Sequence, residues 1–326
     1  MLTPTPNGLY SPDGDFYIDP VRPVKQAIIT HGHADHARWG MGHYIATPET
    51  CDIMTVRLGK DISTTRLPYN TPISLRKTTV QLVPAGHILG SAQVVIDSPA
   101  GRAVVTGDFK VDEDSIVDSF EPVPCDLLVM ETTFALPIYN WPSITDVLAD
   151  IHAFWRKNQA EGVHTVLYAY SLGKAQRLLA GLDQTQGPIA VHSAVANMND
   201  IYVKNKRLLS SFPVFKKTAM ADWSTPGLVV APPATIGSRF IKMLGAYREA
   251  YVSGWMLGKG QVRRRNMRGF VVSDHADWAG LNATVSNAKP RTIWTMHGFV
   301  DSYARYLREQ GMDACALTKL QVERSE

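Results

Sequence analysis

The chain has 326 residues, a mass of 36.0 kDa and 45% hydrophobic residues, enough to bury one large core or two modest ones. Lys and Arg total 33 against 30 Asp and Glu, so a net charge of +3 does not mark a nucleic-acid binder, and any basic surface must be local. Cys51, Cys125 and Cys315 are far apart and follow no C-x-x-C spacing, which argues against a disulfide framework or a zinc ribbon and suits a reducing cytoplasm.

The opening stretch, MLTPTPNGLYSPDGDF, has neither a basic nor an apolar signal segment, and no apolar run is long enough to span a bilayer. Export and membrane insertion are therefore not expected. Short strands are predicted at Phe16 to Ile18, Gln26 to Thr30, Thr79 to Val83, Gln93 to Asp97 and Ala103 to Thr106, several ending directly in polar residues. Strand ends of this kind put reactive side chains in loops that a rigid sheet can position. From Ile144 to Gln159 the apolar spacing becomes helical; Thr165 to Tyr170 then reads as a strand running into Ser171-Leu172-Gly173-Lys174 and a helical stretch to Leu182. Breaks rich in Pro or Gly follow at Ser224 to Gly227 and Ala231 to Gly237, and Arg263-Arg264-Arg265 is the densest charge run. Strand patterns ending in polar residues return at Gly269 to Asp274 and Thr292 to His297. The two ends of the chain thus share one style of site and the middle another, as expected of a domain inserted into a host.

The chemistry concentrates in His31-Gly32-His33-Ala34-Asp35-His36, directly after the apolar run Ala27-Ile28-Ile29-Thr30. Imidazoles and carboxylates are borderline metal ligands, and three histidines with an aspartate in six residues are dense enough to hold ions. In an extended loop His31 and His33 project to one side and can grip one ion, leaving Asp35 and His36 to face a second. Such a site needs further ligands from elsewhere, and His87, in Ala85-Gly86-His87-Ile88, and Asp108, in Thr106-Gly107-Asp108-Phe109, stand in the right contexts. Ser171-Leu172-Gly173-Lys174 is no P-loop, since the preceding G-x-x-x-x-G is missing.

Together these residues resemble the metallo-β-lactamase superfamily, whose signature is HxHxDH, then a His, then an Asp; Asp19 in Ile18-Asp19-Pro20 matches its early acidic position. The resemblance implies an αββα sandwich with His31, His33 and His87 around one metal, Asp35 and His36 around another, and Asp108 bridging them. It implies two divalent ions, both Zn²⁺, with Mn²⁺ as the alternative metal. Further along, Glu131 in Met130-Glu131-Thr132-Thr133-Phe134, His275 in Ser273-Asp274-His275-Ala276-Asp277 and His297 in Met296-His297-Gly298 are similar to motifs A, B and C of the β-CASP nucleases. By that likeness His297 completes the second metal's shell, His275 acts beside the scissile phosphate and Glu131 orients His275. Asp35, Asp108, Glu131 and His275 are the catalytic set it implies.

Ala169 to Gln176 resembles the strand-helix junction of the β-CASP cap, and Ser253-Gly254-Trp255-Met256 another of its signatures. The implied architecture is a metallo-β-lactamase domain over 1–140 and 270–326 with an α/β cap over 141–269. Ser171, Lys174, Ser253, Arg263, Arg264 and Arg265, with Arg268 beside them, are the candidates for contacts to phosphate, and Trp255 for stacking on a base. The stretches Phe16 to Pro20, Leu136 to Pro142, Leu172 to Leu182 and Ser273 to Trp278 are similar to the bacterial DNA ligase-associated exonuclease family. That likeness implies single-stranded DNA as substrate, and a DNA ligase or helicase as partner in repair. A histidine at motif C is common in β-CASP ribonucleases, so RNA stays open as the alternative. A small-molecule hydrolase of the lactamase or glyoxalase type is disfavoured because such enzymes do not need the motifs after Asp108. A scaffold with a dead metal site is disfavoured because every expected ligand is present.

Overall fold

The computed structural model describes residues 1–216, 223–258 and 267–317. The chain divides into two compact units, Met1–Asn140 with His275–Glu326, and Trp141–Asp274.

The first unit contains two sheets. One has six strands, in the spatial order Thr3–Thr5, Gly8–Ser11, Phe16–Ile18, Ala27–Ile28, Tyr44–Ala46 and Thr64–Arg66. The other has seven, in the order Asp313–Ala316, Thr292–Gly298, Leu127–Thr132, Gly101–Val105, Ala92–Ser98, Thr78–Pro84 and Ile73–Leu75. Side chains alternate across a strand, and the packing follows that period. Ala103 and Val105 join Phe16, Ile18, Ile28 and Ile45 of the other sheet in one apolar cluster, while Val104 joins Leu281, Tyr303 and Leu307 of the helices Trp278–Ala288 and Val300–Glu309. In the six-stranded sheet Ile28 points into the shared cluster, and Ala27 and Ile29 pack on Cys51 and Met54 of the helix Pro48–Leu58. Strands buried on both faces need apolar residues at successive positions, which is why Val94-Val95-Ile96 reads as a continuous run.

The helix Pro48–Leu58 starts where its sequence says it should. The Thr47 hydroxyl accepts from the Thr50 N–H at 3.2 Å, and Pro48 takes a first-turn position where a missing N–H costs nothing.

The inserted unit is built on a five-stranded sheet in the order Ile189–Val191, Leu228–Ala231, His164–Tyr168, Tyr247–Val252 and Arg268–Phe270, with every pair parallel. Parallel neighbours need crossover connections; the helix Lys174–Gly181 lies between His164–Tyr168 and Ile189–Val191, and Ser193–Lys204 between Ile189–Val191 and Leu228–Ala231. Trp155, Leu178, Val191, Val230 and Val252 form one side of its core. This unit runs on to Asp274 rather than stopping at 269. Phe270 pairs with Val252, and Phe270 and Val272 both pack in the core of the insert.

Of the strands expected from the sequence, Phe16–Ile18 matches in both bounds, and Thr78–Pro84, Ala92–Ser98 and Thr292–Gly298 extend slightly past theirs. Gln26 to Thr30 shortens to Ala27–Ile28, because the backbone turns into the histidine loop, and Gly269 to Asp274 shortens to Arg268–Phe270. No helix among the described residues is long and apolar enough to cross a membrane.

Trp155 is fully buried, so Trp155→Ala removes a large aromatic volume that neighbouring side chains cannot refill. It should lower stability by about 3–5 kcal/mol, read as a lower urea midpoint; an unchanged midpoint would mean that the insert's core does not depend on it.

Candidate metal centre

The histidine loop leaves the strand Ala27–Ile28, and its first fixed point is Asp19. The Asp19 carboxylate accepts from the Thr30 N–H at 2.8 Å, from the Thr30 hydroxyl at 2.6 Å and from His36 Nδ1 at 2.7 Å. With its proton given to Asp19, the Thr30 oxygen is an acceptor for His31 Nδ1 at 3.1 Å. Both imidazoles thereby carry hydrogen on Nδ1 and turn Nε2 inward, and a histidine whose Nδ1–H is held in this way presents Nε2 as a metal donor. The loop is not extended as expected. Ala37 N–H donates to His33 O at 2.8 Å, closing a turn, and the His36 ring lies 4.1 Å from that of His31, centroid to centroid.

His31 Nε2 and His87 Nε2 each stand 3.1 Å from His33 Nδ1. Their distances to Asp108 Oδ2 are 3.6 and 3.7 Å. The other oxygen of the same carboxylate, Asp108 Oδ1, is 3.6 Å from His36 Nε2, which lies 3.7 Å from Asp35 Oδ2. Donors bound at ~2.0–2.1 Å to a tetrahedral ion stand about 3.3 Å apart. The observed separations bracket that edge length, so His31, His33, His87 and Asp108 form a set that one ion fits. His36, Asp108 and His297 form a second set, with ligand atoms within 4.8 Å of one another in each. Nitrogen lone pairs that converge in this way repel unless a cation or a shared proton lies between them.

The electrostatics agree. Burial holds His31 well below the ordinary histidine range, with the neighbouring imidazoles of His36, His87 and His33 adding to the effect, so it is a neutral donor. Burial alone would also lower His36, but Asp108, Asp19 and Asp35 outweigh it and push the imidazole up to about 10. Asp108 is raised by its burial, yet His36, His275, His87 and His297 reverse that and keep it ionised. Three carboxylates thus draw positive charge to one point, which is the demand a divalent ion meets.

Glu131 and His297 arrive on adjacent strands. Leu127–Thr132 pairs in parallel with Thr292–Gly298, Glu131 lies opposite Met296, and a register shift follows that sets Thr132 opposite Gly298. The Thr132 hydroxyl donates to His297 O, and His297 itself is held at φ 56°. A Cβ on Gly298 would lie 2.4 Å from Thr133 Cα and 2.5 Å from Thr132 O, so only glycine lets the two backbones close. Glu131 is 1% exposed and presents both carboxylate oxygens to His275 Nδ1 at 2.8 Å. Its Oε1 also accepts from the Phe109 N–H at 2.9 Å, beside Asp108, so the carboxylate is fixed before it meets the histidine.

All nine residues read from the motifs, with Asp19, therefore come together in the first unit. Sequence reading passed over Thr30 and Thr132, whose hydroxyls lock the tautomer and backbone just described. It also passed over Arg57, whose guanidinium donates to Gly32 O at 2.6 Å from the helix Pro48–Leu58. Thr30 sits between the strand and the histidines and could have been noticed; no local pattern points to Arg57.

The expected phosphate contacts fare differently. Lys174 is 4% exposed and pairs with the Asp274 carboxylate at 3.1 Å, where Arg177 also binds. A buried, paired ammonium is not presented to a strand, and that expectation is corrected to an internal ion pair. Ser253 is likewise buried, its Oγ accepting from the Trp255 N–H at 3.3 Å to cap the turn Gly254–Leu257. Ser171 is partly exposed, and its carbonyl accepts from Gln176 Nε2 at 3.0 Å. Trp255 is exposed, and the guanidinium of the exposed Arg268 lies over the rings of Phe154 and Phe270 at 5.4 and 4.9 Å. Arg263, Arg264 and Arg265 lie outside the described residues.

No family profile matches the chain. It is 32% identical over 314 residues to a probable DNA ligase of Opitutus terrae, a match covering 95% of this chain and 30% of that protein. It is 27% identical over 165 residues to the human DNA cross-link repair 1A protein, covering 48% of this chain and 16% of the relative. It is 28% identical over 125 residues to the endoribonuclease YSH1 of Candida glabrata, covering 36% and 15%. The chain thus spans less than a third of the length of these curated relatives. Among solved structures, a protein of unknown function from Enterococcus faecalis V583 aligns with a TM-score of 0.62 at 14% identity, over 89% of this chain and 78% of that one, which speaks for the fold. The histidine and aspartate cluster at strand ends and these relatives define a protein of the metallo-β-lactamase superfamily. Within it, the chain's homologues are β-CASP nucleases, among them DNA cross-link repair proteins and endoribonucleases.

If Asp19 sets the His36 tautomer, Asp19→Asn should weaken metal binding about 10–100-fold in a chelator competition while the far-ultraviolet circular dichroism stays unchanged. Wild-type affinity in that variant would remove Asp19 from the site's support.

Proposed function

We propose that the chain is a nuclease that hydrolyses DNA phosphodiester bonds with two divalent ions, working from the ends of single-stranded DNA in repair. In this reading the first unit is an αββα sandwich and Trp141–Asp274 its β-CASP cap. The observation that carries it is the Asp108 carboxylate, which turns one oxygen to His31 and His87 and the other to His36. His31, His33 and His87 would hold one ion, Asp35, His36 and His297 the other, and Asp108 both. The nitrogen-rich set favours Zn²⁺ over Mn²⁺. Ions held there act as Lewis acids on a phosphodiester and make water acidic enough to yield a nucleophile near neutral pH.

The chain's own contribution to the chemistry is a placed proton. Glu131 engages His275 Nδ1 through both oxygens, so the hydrogen on Nδ1 is committed and that on Nε2 is the transferable one. Given to a phosphoryl or leaving oxygen, it offsets the negative charge that develops there. This pair supports a nuclease over a small-molecule hydrolase, which has no need of a second acid.

DNA is favoured because the match covering 95% of this chain is to a protein described as a DNA ligase; a DNA ligase or helicase is accordingly the expected partner. RNA is the second reading, favoured by His297 at motif C and by the endoribonuclease match.

Metal-loaded wild type should degrade matched single-stranded DNA faster than RNA, and a chelator should abolish both activities. The reverse preference would select the ribonuclease reading. His275→Ala should lower turnover by about 10²–10⁴-fold with metal content retained. Metal loss in that variant would instead make His275 a ligand, with Asp108 and Glu131 beside it.

A further inference from the structure

Trp39 is 74% exposed, yet the bend that carries it is clamped. The Tyr44 hydroxyl, on a side chain 1% exposed, donates to Arg38 O at 2.8 Å and accepts from the Met41 N–H at 3.1 Å. Ala37 and Met41 are buried on either side, and Gly40 takes φ 99° to make the turn. The indole is therefore held in water by a fixed backbone. An exposed tryptophan on a rigid support forgoes the burial that this residue type ordinarily obtains.

Its surroundings are cationic. Arg38 is exposed next to it, and the Gly42 N–H donates to Val24 O at 2.9 Å, which brings the exposed Arg22 and Lys25 beside the same bend. Asp35 is the only acid between Pro20 and Pro48. Trp39 follows His36 by three residues, so their Cα atoms lie within about 11 Å.

We propose that Trp39 is a stacking platform for a nucleobase of the bound strand close to the scissile phosphate, with Arg22, Lys25 and Arg38 neutralising the phosphates beside it. Every base offers a π face, and an aromatic flanked by cations takes a single strand without regard to sequence. The inference rests on the nuclease reading and names the part of the first unit that holds the strand.

The test uses the full chain, loaded with metal, on a single-stranded oligodeoxynucleotide and on a strand of the same length made of tetrahydrofuran abasic sites. Trp39→Ala should raise KM for the base-bearing strand about tenfold, and by clearly more than for the abasic strand, with metal content as in wild type. Trp39→Phe should fall between the two proteins. Equal shifts on both strands, or none, would overturn the stacking role. So would a loss of kcat on both strands accompanied by loss of metal, since the residue would then only support the loop. If wild type cuts neither strand, the nuclease reading itself fails, a result distinct from an unresponsive Trp39.

Discussion

The first unit depends on keeping the Asp108 carboxylate ionised at 7% exposure. An ion taken out of water with no partner costs several kcal/mol, so the fold must bring compensating groups to both oxygens at once. The imidazoles of His36, His87, His275 and His297 do this from four separate places. Gly107, at φ 57°, allows the approach: a Cβ there would lie 2.6 Å from Thr30 Cβ. The backbone before Asp108 is thus packed directly on the residue that starts the histidine loop. Charge and close packing are one requirement here, since any slack would separate the carboxylate from its partners.

The helix Pro48–Leu58 meets the same requirement from the other side. Arg57 holds Gly32 O between His31 and His33, and a Cβ on Gly32 would strike Ile53 Cγ2 at 2.4 Å. At the opposite end of the helix, the hydroxyls of Thr47 and Thr50 donate to Gly90 O at 2.7 and 2.9 Å. Ser91 Oγ in turn accepts from the backbone N–H groups of His87 and Ile88 at 3.0 and 3.2 Å. One helix therefore fixes both the loop of His31 and His33 and the loop of His87, which accounts for ligating nitrogens meeting at 3.1 Å across a long sequence separation. Its own anchorage is apolar, through Cys51 and Met54.

What the sequence disclosed follows the range of the interactions involved. The histidine loop, His87 and Asp108 were legible because metal ligands are chemically distinctive and stand at the ends of apolar runs. Strands such as Ala92–Ser98 were legible because both faces are buried. Thr3–Thr5 and Thr64–Arg66 were not, being short, partly exposed and carried by their neighbours in the sheet. Lys174 looked like a phosphate ligand because its role is decided by Asp274, a residue that no local pattern links to it. Arg57 escaped for the same reason. A positioning contact between a side chain and a distant carbonyl leaves no trace in residue spacing, whereas a cluster of donors does.

Two site residues sit in backbone conformations that side chains ordinarily avoid, Asp19 at φ 43° and His297 at φ 56°. Each such residue costs on the order of 1–3 kcal/mol and persists only where its surroundings over-determine it. Asp19 is fixed by its N–H donating to Ile28 O at 3.0 Å and by its carboxylate on Thr30 and His36. His297 is fixed by Thr132 and by the closure that Gly298 permits. Both lie where a strand hands its direction to a ligand, and the left-handed turn swings the side chain out of the alternation that would otherwise bury it in the sheet or point it away. The strain is thus the local cost of turning a structural periodicity of two into a convergent site, and at Asp19 the hydrogen bonds that offset it are the same ones that select the tautomers of His31 and His36. Orientation and conformation are therefore set together, and a substitution that relaxes one releases the other.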